Sequence, residues 1–194
     1  MSILKDLRAL SRQQGSMDDF AEFMKQIKDE SNDRGSALLA ATNADMALTE
    51  ALHQVLRVKD DAKDELDKQG GPLENFGQRI TMARVLRIYG PDTSYNLDLI
   101  RHIRNAFAHA HIPITFQTKE VAAAIGLFRV LPLLTPYRLG ENQKIPPSEP
   151  RAAFHHHCEV VTHNLNAWGW RGTPAVKEGI PQGFVAYSQP EPMT

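Results

Sequence analysis

Leu97-Asp98-Leu99-Ile100-Arg101-His102-Ile103-Arg104-Asn105-Ala106-Phe107-Ala108-His109 is the stretch that decides the fold. Wound at 100° per residue, it puts Leu97, Ile100, Ile103 and Phe107 on one side, which must face a core. Arg101, Asn105 and His109 recur at i, i+4 and i+8 on the other side, with His102 beside them. Arg104 falls on the border between the two. The segment therefore reads as an amphipathic helix that opens after Gly90-Pro91, is capped by Asp92 or Thr93, and is stopped by Pro113.

Working outward, the same period recurs along the chain. Ser16-Met17-Asp18-Asp19 is a helix start, with Phe20, Phe23, Met24 and Ile27 following at helical spacing. From Ser31 or Asp33, the positions Leu38, Ala41, Asp45, Leu48, Leu52 and Val55 make one continuous stripe. That helix is expected to fray through Lys59–Lys68 before Gly70-Gly71-Pro72 breaks the chain. Leu73–Tyr89 reads as a helix, and so do Thr118–Leu131 and Arg151–Ala167. Five prolines make 132–150 a connector. From Gly169 the composition turns to glycine, proline and isolated aromatics. No repeat and no strand stands out, so the fold class is all-α. The expected architecture is a bundle of five to six helices with an irregular C-terminal tail. The divisions are an N-terminal helical extension over 1–30, the bundle over 31–167 and the tail over 168–194.

Composition narrows the function. Over 194 residues the formal charge is −1, which excludes a globally basic nucleic-acid binder. Charge is uneven: −5 over 1–75, +3 over 76–111 and +1 over 112–194. An anion site is therefore sought in the middle block, which also holds His102, His109 and His111. The single cysteine, Cys158, excludes an internal disulfide framework and a multi-cysteine zinc site. No run of 18 apolar residues exists, so no membrane partner is expected. The first residues lack an apolar signal core, and a cytoplasmic location follows as an expectation.

Two features carry chemistry. Asp45 sits where its stripe calls for an apolar side chain, and a carboxylate facing a core is costly unless paired. Either it lies at the edge of the stripe or it has a partner, and Arg104 is the first candidate, with Arg34 and Arg79 as alternatives. The second feature is the trio of Arg104, Asn105 and His109. Histidine moves protons near neutral pH, arginine stabilises charge on phosphoryl oxygens, and asparagine positions a phosphate or the ring. That set suffices for metal-independent RNA cleavage. The bland reading is a histidine favourably placed at a helix end and an arginine in an ion pair. Arg104 and His109 stand about 140° apart on one helix, so only two copies of the chain bring them together easily.

Arg104-Asn105-Ala106-Phe107-Ala108-His109 resembles the arginine-x4-histidine signature of the HEPN superfamily, whose members are compact helical bundles that dimerise. A wider pattern resembles the mannitol operon repressor family. Its parts are Ala40-Ala41-Thr42-Asn43-Ala44-Asp45, the block Gly71-Pro72-Leu73-Glu74-Asn75-Phe76-Gly77-Gln78-Arg79-Ile80, and the segment Leu97–His109. The likeness spans about residues 30–130 and places Asp45, Arg79, Arg101, Arg104, Asn105 and His109 on motif positions. It implies a HEPN-like bundle, a homodimer, and a cytosolic regulator. In that reading Asp45, Arg79, Arg101 and His102 form a binding or structural polar site, and the partner is a protein rather than DNA. No helix-turn-helix with a basic recognition helix is visible. The alternative it implies is an endoribonuclease, a toxin or defence effector with His109, Arg104 and Asn105 as catalytic residues and RNA as partner.

Neither reading calls for a cofactor or a metal. His155-His156-His157-Cys158 invites a metal reading, since His155, Glu159 and His163 share one helical face. Three ligands from one helix rarely close a tetrahedron, so a solvated or interfacial histidine patch is expected instead. Cys158 is expected to be a buried small apolar residue. Trp168 and Trp170 are expected to pack the tail onto the bundle.

Overall fold

A computed structural model describes residues 32–133 and 147–170. The N-terminal helix expected from Ser16, the interior of the proline connector and the tail beyond Trp170 lie outside the described residues. Within them the chain is all-helical: α1 (Asp33–Val55), α2 (Asp60–Asp67), α3 (Phe76–Val85), α4 (Pro91–His109), α5 (Lys119–Ile125) and α6 (Pro150–Trp170). No helix there is long and apolar enough to cross a membrane.

α1 is the central element. It packs most extensively on α6, then on α4 and α3. Its buried residues are mostly alanine (37, 40, 41, 44, 47 and 51), punctuated by Leu48 and Leu52. Such small side chains let neighbouring helix axes approach closely. Asn32 opens α1 by accepting the Arg34 N–H on its side chain at 2.9 Å. α4 lays Leu97, Ile100, Ile103 and Phe107 into the core, all fully or nearly fully buried. Phe107 meets Phe116, which meets Phe154 of α6, with ring centroids 5.0 and 5.4 Å apart. Offset and tilted rings at such distances pack favourably.

The helix boundaries depart from the sequence expectations for identifiable reasons. Instead of fraying, the chain after α1 turns and starts a separate helix, α2. Arg57 takes a left-handed φ of 51°, Val58 N–H bonds the His53 carbonyl and Arg57 N–H bonds that of Gln54. This is a Schellman stop with arginine where glycine is favoured. α3 begins at Phe76 rather than Leu73, because Asn75 and Gln78 form a reciprocal capping box. It ends at Val85 rather than Tyr89 through a second Schellman stop, with Arg87 at φ 56° and Ile88 N–H on the Ala83 carbonyl. In α4 the cap is Gly90, with Pro91 as the first helical residue, rather than Asp92 or Thr93.

α5 covers only Lys119–Ile125 of the expected 118–131. Beyond Gly126 the chain is pinned by buried amides that replace helical hydrogen bonds. The Asn96 side chain donates to the Arg129 carbonyl (2.8 Å) and accepts from its N–H (2.9 Å). Asn164 donates to the Pro132 carbonyl at 2.8 Å. α6 starts at Pro150, with the Glu149 carboxylate accepting the Arg151 and Ala152 N–H groups. It runs to Trp170, three residues beyond the expected end of the bundle. At the Gly70-Gly71 break, a Cβ on Gly71 would lie 2.4 Å from the Leu66 carbonyl oxygen, so a close backbone approach requires glycine there.

Candidate functional site

The outer side of α4 is the candidate site. Its helical period delivers the two-sidedness read from the sequence: the apolar residues are buried, His102, Arg104 and His109 are exposed, and Arg101 and Asn105 are half-buried. The stem of Arg101 lies across α3, where Gly77 leaves room for it. A Cβ on Gly77 would be 3.7 Å from the Arg101 Cδ. The Arg101 guanidinium pairs with Asp98 at 3.2 Å and meets His102 Nε2 at 3.0 Å. Arg104 Nη1 donates to Asn105 Oδ1 at 3.1 Å, and among the described residues Arg104 has no carboxylate within ion-pair distance. His109 is the last residue of α4 and makes no hydrogen bond from its ring among those residues.

Asp45 does face inward, but its partner is Arg79 and not Arg104. Arg79 Nη1 donates to both carboxylate oxygens at 2.8 Å. Its Nη2 donates to the Glu74 carbonyl at 3.2 Å, while its Nε is buried without a partner. α3 packs directly on α1 and brings Arg79 over Asp45, whereas Arg104 points outward and acts on Asp45 only through its charge. Burial raises the Asp45 pKa, and the hydrogen bond and charge of Arg79 offset part of that rise. The charge of Arg104 offsets a little more, while Asp67 pushes the pKa up. Arg34, the other alternative, caps the far end of α4 instead. Its Nη2 donates to the carbonyls of Ala110 (2.9 Å) and Ile112 (3.4 Å). That places positive charge where the helix dipole is negative and satisfies a carbonyl left open at the helix end.

Of the histidine run on α6, His155 and His157 belong to the interior rather than to a solvated patch, and His156 is half-buried. His155 Nε2 lies 2.7 Å from Ser36 Oγ in a buried contact. His157 stacks on Phe128 with centroids 4.5 Å apart, and burial, with His156 beside it, lowers its pKa to about 4. Cys158 is buried, which pushes its thiol well above the usual range, so a nucleophilic thiolate is disfavoured there. Among the described residues no group of three His, Cys, Asp or Glu side chains is arranged to hold a metal ion.

The sequence reading missed the roles of Arg34 and Ser36, and neither leaves a periodicity signal. Both bonds join residues more than seventy positions apart. The site as built is a row of donors: a guanidinium in a carboxylate pair, a second guanidinium bonded only to an amide, and two exposed imidazoles. It can receive anionic or hydrogen-bond-accepting groups of a partner.

No family model matches the chain, and no curated protein matches it. Among solved structures, the fold is similar to that of a chain in the X-ray structure of the MtlR-HPr complex from Escherichia coli. The identity is 16 %, the TM-score is 0.55, and the match covers 77 % of this chain and 97 % of that one.

Proposed function

We propose that this protein is a cytoplasmic regulator of the mannitol-repressor type that works by binding another protein, and that the outer side of α4 belongs to its contact surface. The observation that carries the reading is the fold match, which spans nearly all of a neighbour chain solved in a complex with HPr. Two features of this chain support it. Arg104 and His109 are exposed and have no fold-supporting partner among the described residues. The sequence also shows no helix-turn-helix with a basic recognition helix of the kind that reads DNA. Membership of the HEPN superfamily and a homodimer paired through Arg101, Asn105 and His109 are part of the same proposal. The test is calorimetric titration of the purified chain with HPr. Saturable binding that Arg104→Ala weakens supports the reading, and no heat at protein concentrations near 100 μM would remove it. For the dimer, Arg101→Glu should lower the mass measured by ultracentrifugation, and an unchanged mass counts against that pairing.

A second reading is the metal-independent endoribonuclease with His109, Arg104 and Asn105 in the catalytic roles. What favours it is that the imidazole and a guanidinium are both open to solvent on one helix. α4 stays helical through His109, so one chain does not converge the two groups, and the reading needs a second copy. Incubation with total RNA in EDTA separates the readings: cleavage that His109→Ala abolishes supports the nuclease.

A further inference from the structure

α2 is held differently from the other helices. Alone among the described helices, it shares no extensive packing face with another. Ala62, Lys63, Leu66 and Asp67 are half-buried and Glu65 is exposed, whereas each of the other helices sends at least two side chains into the core. At eight residues, α2 is also too short to persist in water without support from the fold.

Ties to the bundle gather at its last turn. The Leu66 side chain packs on the edge of the core, and the Leu66 carbonyl accepts the N–H of buried Leu73 at 2.9 Å. Asp67 Oδ2 lies 3.0 Å from Nε2 of His53, a buried residue in the last turn of α1. That contact is close but poorly directed. Neither His53 Nε2 nor Asp67 Oδ1 makes a hydrogen bond among the described residues, although both atoms are shut off from solvent. Buried polar groups in that condition carry a cost that hydration recovers. Asp67 also repels Asp45, whose carboxyl its charge pushes up. The residue that docks α2 on α1 thus also opposes the docked position.

Both connections of α2 turn through left-handed backbone. Arg57, before it, holds φ at 51°, and Gly70, after it, holds φ at 81°. From this combination we infer that α2 is a hinged strap. It leaves the bundle as a unit, between Arg57 and Gly70, while the other described helices stay packed. Its departure bares the His53 imidazole at the end of α1 and takes the charge of Asp67 away from the Asp45–Arg79 pair. The inference does not depend on partner binding through α4.

The test follows the full chain by native-state hydrogen exchange and by carbethoxylation of histidines, which acts on imidazoles open to solvent. An undocked α2 does not hold its hydrogen bonds, so opening is read directly at its amides. The amides of residues 64–67 are expected to exchange together, with at least about 100-fold less protection than those of Leu48 and Ile100. A Cβ on Gly70 would meet nothing within 4 Å, so Gly70→Ala burdens only the docked turn, through its positive φ. The variant is expected to speed exchange over 64–67 and modification of His53 by the same factor, about tenfold, and to leave Leu48 and Ile100 unchanged. Exposed His102 and His109 should react at the same rate in both proteins. Protection over 64–67 equal to that of Leu48 overturns the inference. So does an effect of Gly70→Ala spread over the whole bundle, faster exchange in α2 with no change at His53, or no effect of the variant at all.

Discussion

Two sets of polar groups flank α1 and α4, and they differ in what surrounds them. On the inner side, Asp45 meets Arg79, Ser36 meets His155, and Arg34 closes the end of α4, each in a buried or part-buried bond. On the outer side, His102, Arg104 and His109 use the same chemistry in contact with water, with Arg101 and Asn105 half-buried between the two sets. Removing one member of a buried pair leaves its partner without solvation, whereas an exposed group falls back on water. The inner set is therefore committed to the fold. The outer set can change or bind with little cost in stability, and residues of that kind are where function is to be sought.

The strongest way to break this contrast is Arg79→Ala. It strands a carboxylate that is three-quarters buried by side-chain area, and should cost about 2–4 kcal/mol of unfolding free energy in urea. The pH dependence follows from the direction of the Asp45 shift. A carboxyl whose folded pKa lies above its unfolded value opposes folding when ionised, so the native state gains relative stability as pH falls through that folded value. Losing Arg79 pushes the pKa further up, so the variant's deficit should be largest at neutral pH and shrink on acidification. A deficit under about 0.5 kcal/mol at pH 7 would place the pair with the exposed groups instead.

His157 sharpens the contrast from the acid side. Its folded pKa of about 4 lies below the ordinary 6.5, so the native state binds fewer protons than the unfolded chain between those values. Stability should fall as pH drops from about 6.5 to about 4, by an amount on the order of 2–3 kcal/mol for this group alone. His157→Phe keeps a ring against Phe128 and removes the proton site, so its stability should vary less over that window. If the two profiles run parallel in urea melts, the ring is not held neutral by the core.

How much of this was legible depends on the range of the signal. The helical period of α1 and the two sides of α4 were readable because periodicity is local, and so was the break at Gly70-Gly71-Pro72. The buried face of α1, however, is turned towards Ala37, Ala40, Ala44, Ala47 and Ala51, which the stripe read from the sequence did not include. The partner of Asp45 was not, since choosing among Arg34, Arg79 and Arg104 requires knowing which helices cross. α2 and the early end of α3 were hidden for another reason. The usual helix stop is glycine, and here Arg57 and Arg87 occupy the left-handed position. Local strain of that kind leaves no compositional mark. It does give a prediction of opposite sign: Arg57→Gly should stabilise the chain by about 0.5–1 kcal/mol, seen as a higher urea midpoint, because glycine adopts that φ freely. A loss of stability would show that Arg57, although exposed, supports the fold.

The smallest expected effect on stability carries the most information about function. Arg104→Ala and His109→Ala each remove an exposed side chain with no ion pair among the described residues, so each should shift unfolding by no more than about 0.5 kcal/mol. If the outer side of α4 is a contact surface, the same substitutions should weaken HPr binding several-fold, mostly through faster dissociation. Arg104 should matter more, because its guanidinium can grip a carboxylate or carbonyl of the partner with two parallel bonds, and Arg104→Lys should rescue only part of the loss. A stability loss comparable to that of Arg79→Ala would move Arg104 into the structural set and erase the contrast. Unchanged stability with unchanged binding would leave the contrast standing and move the contact surface off α4.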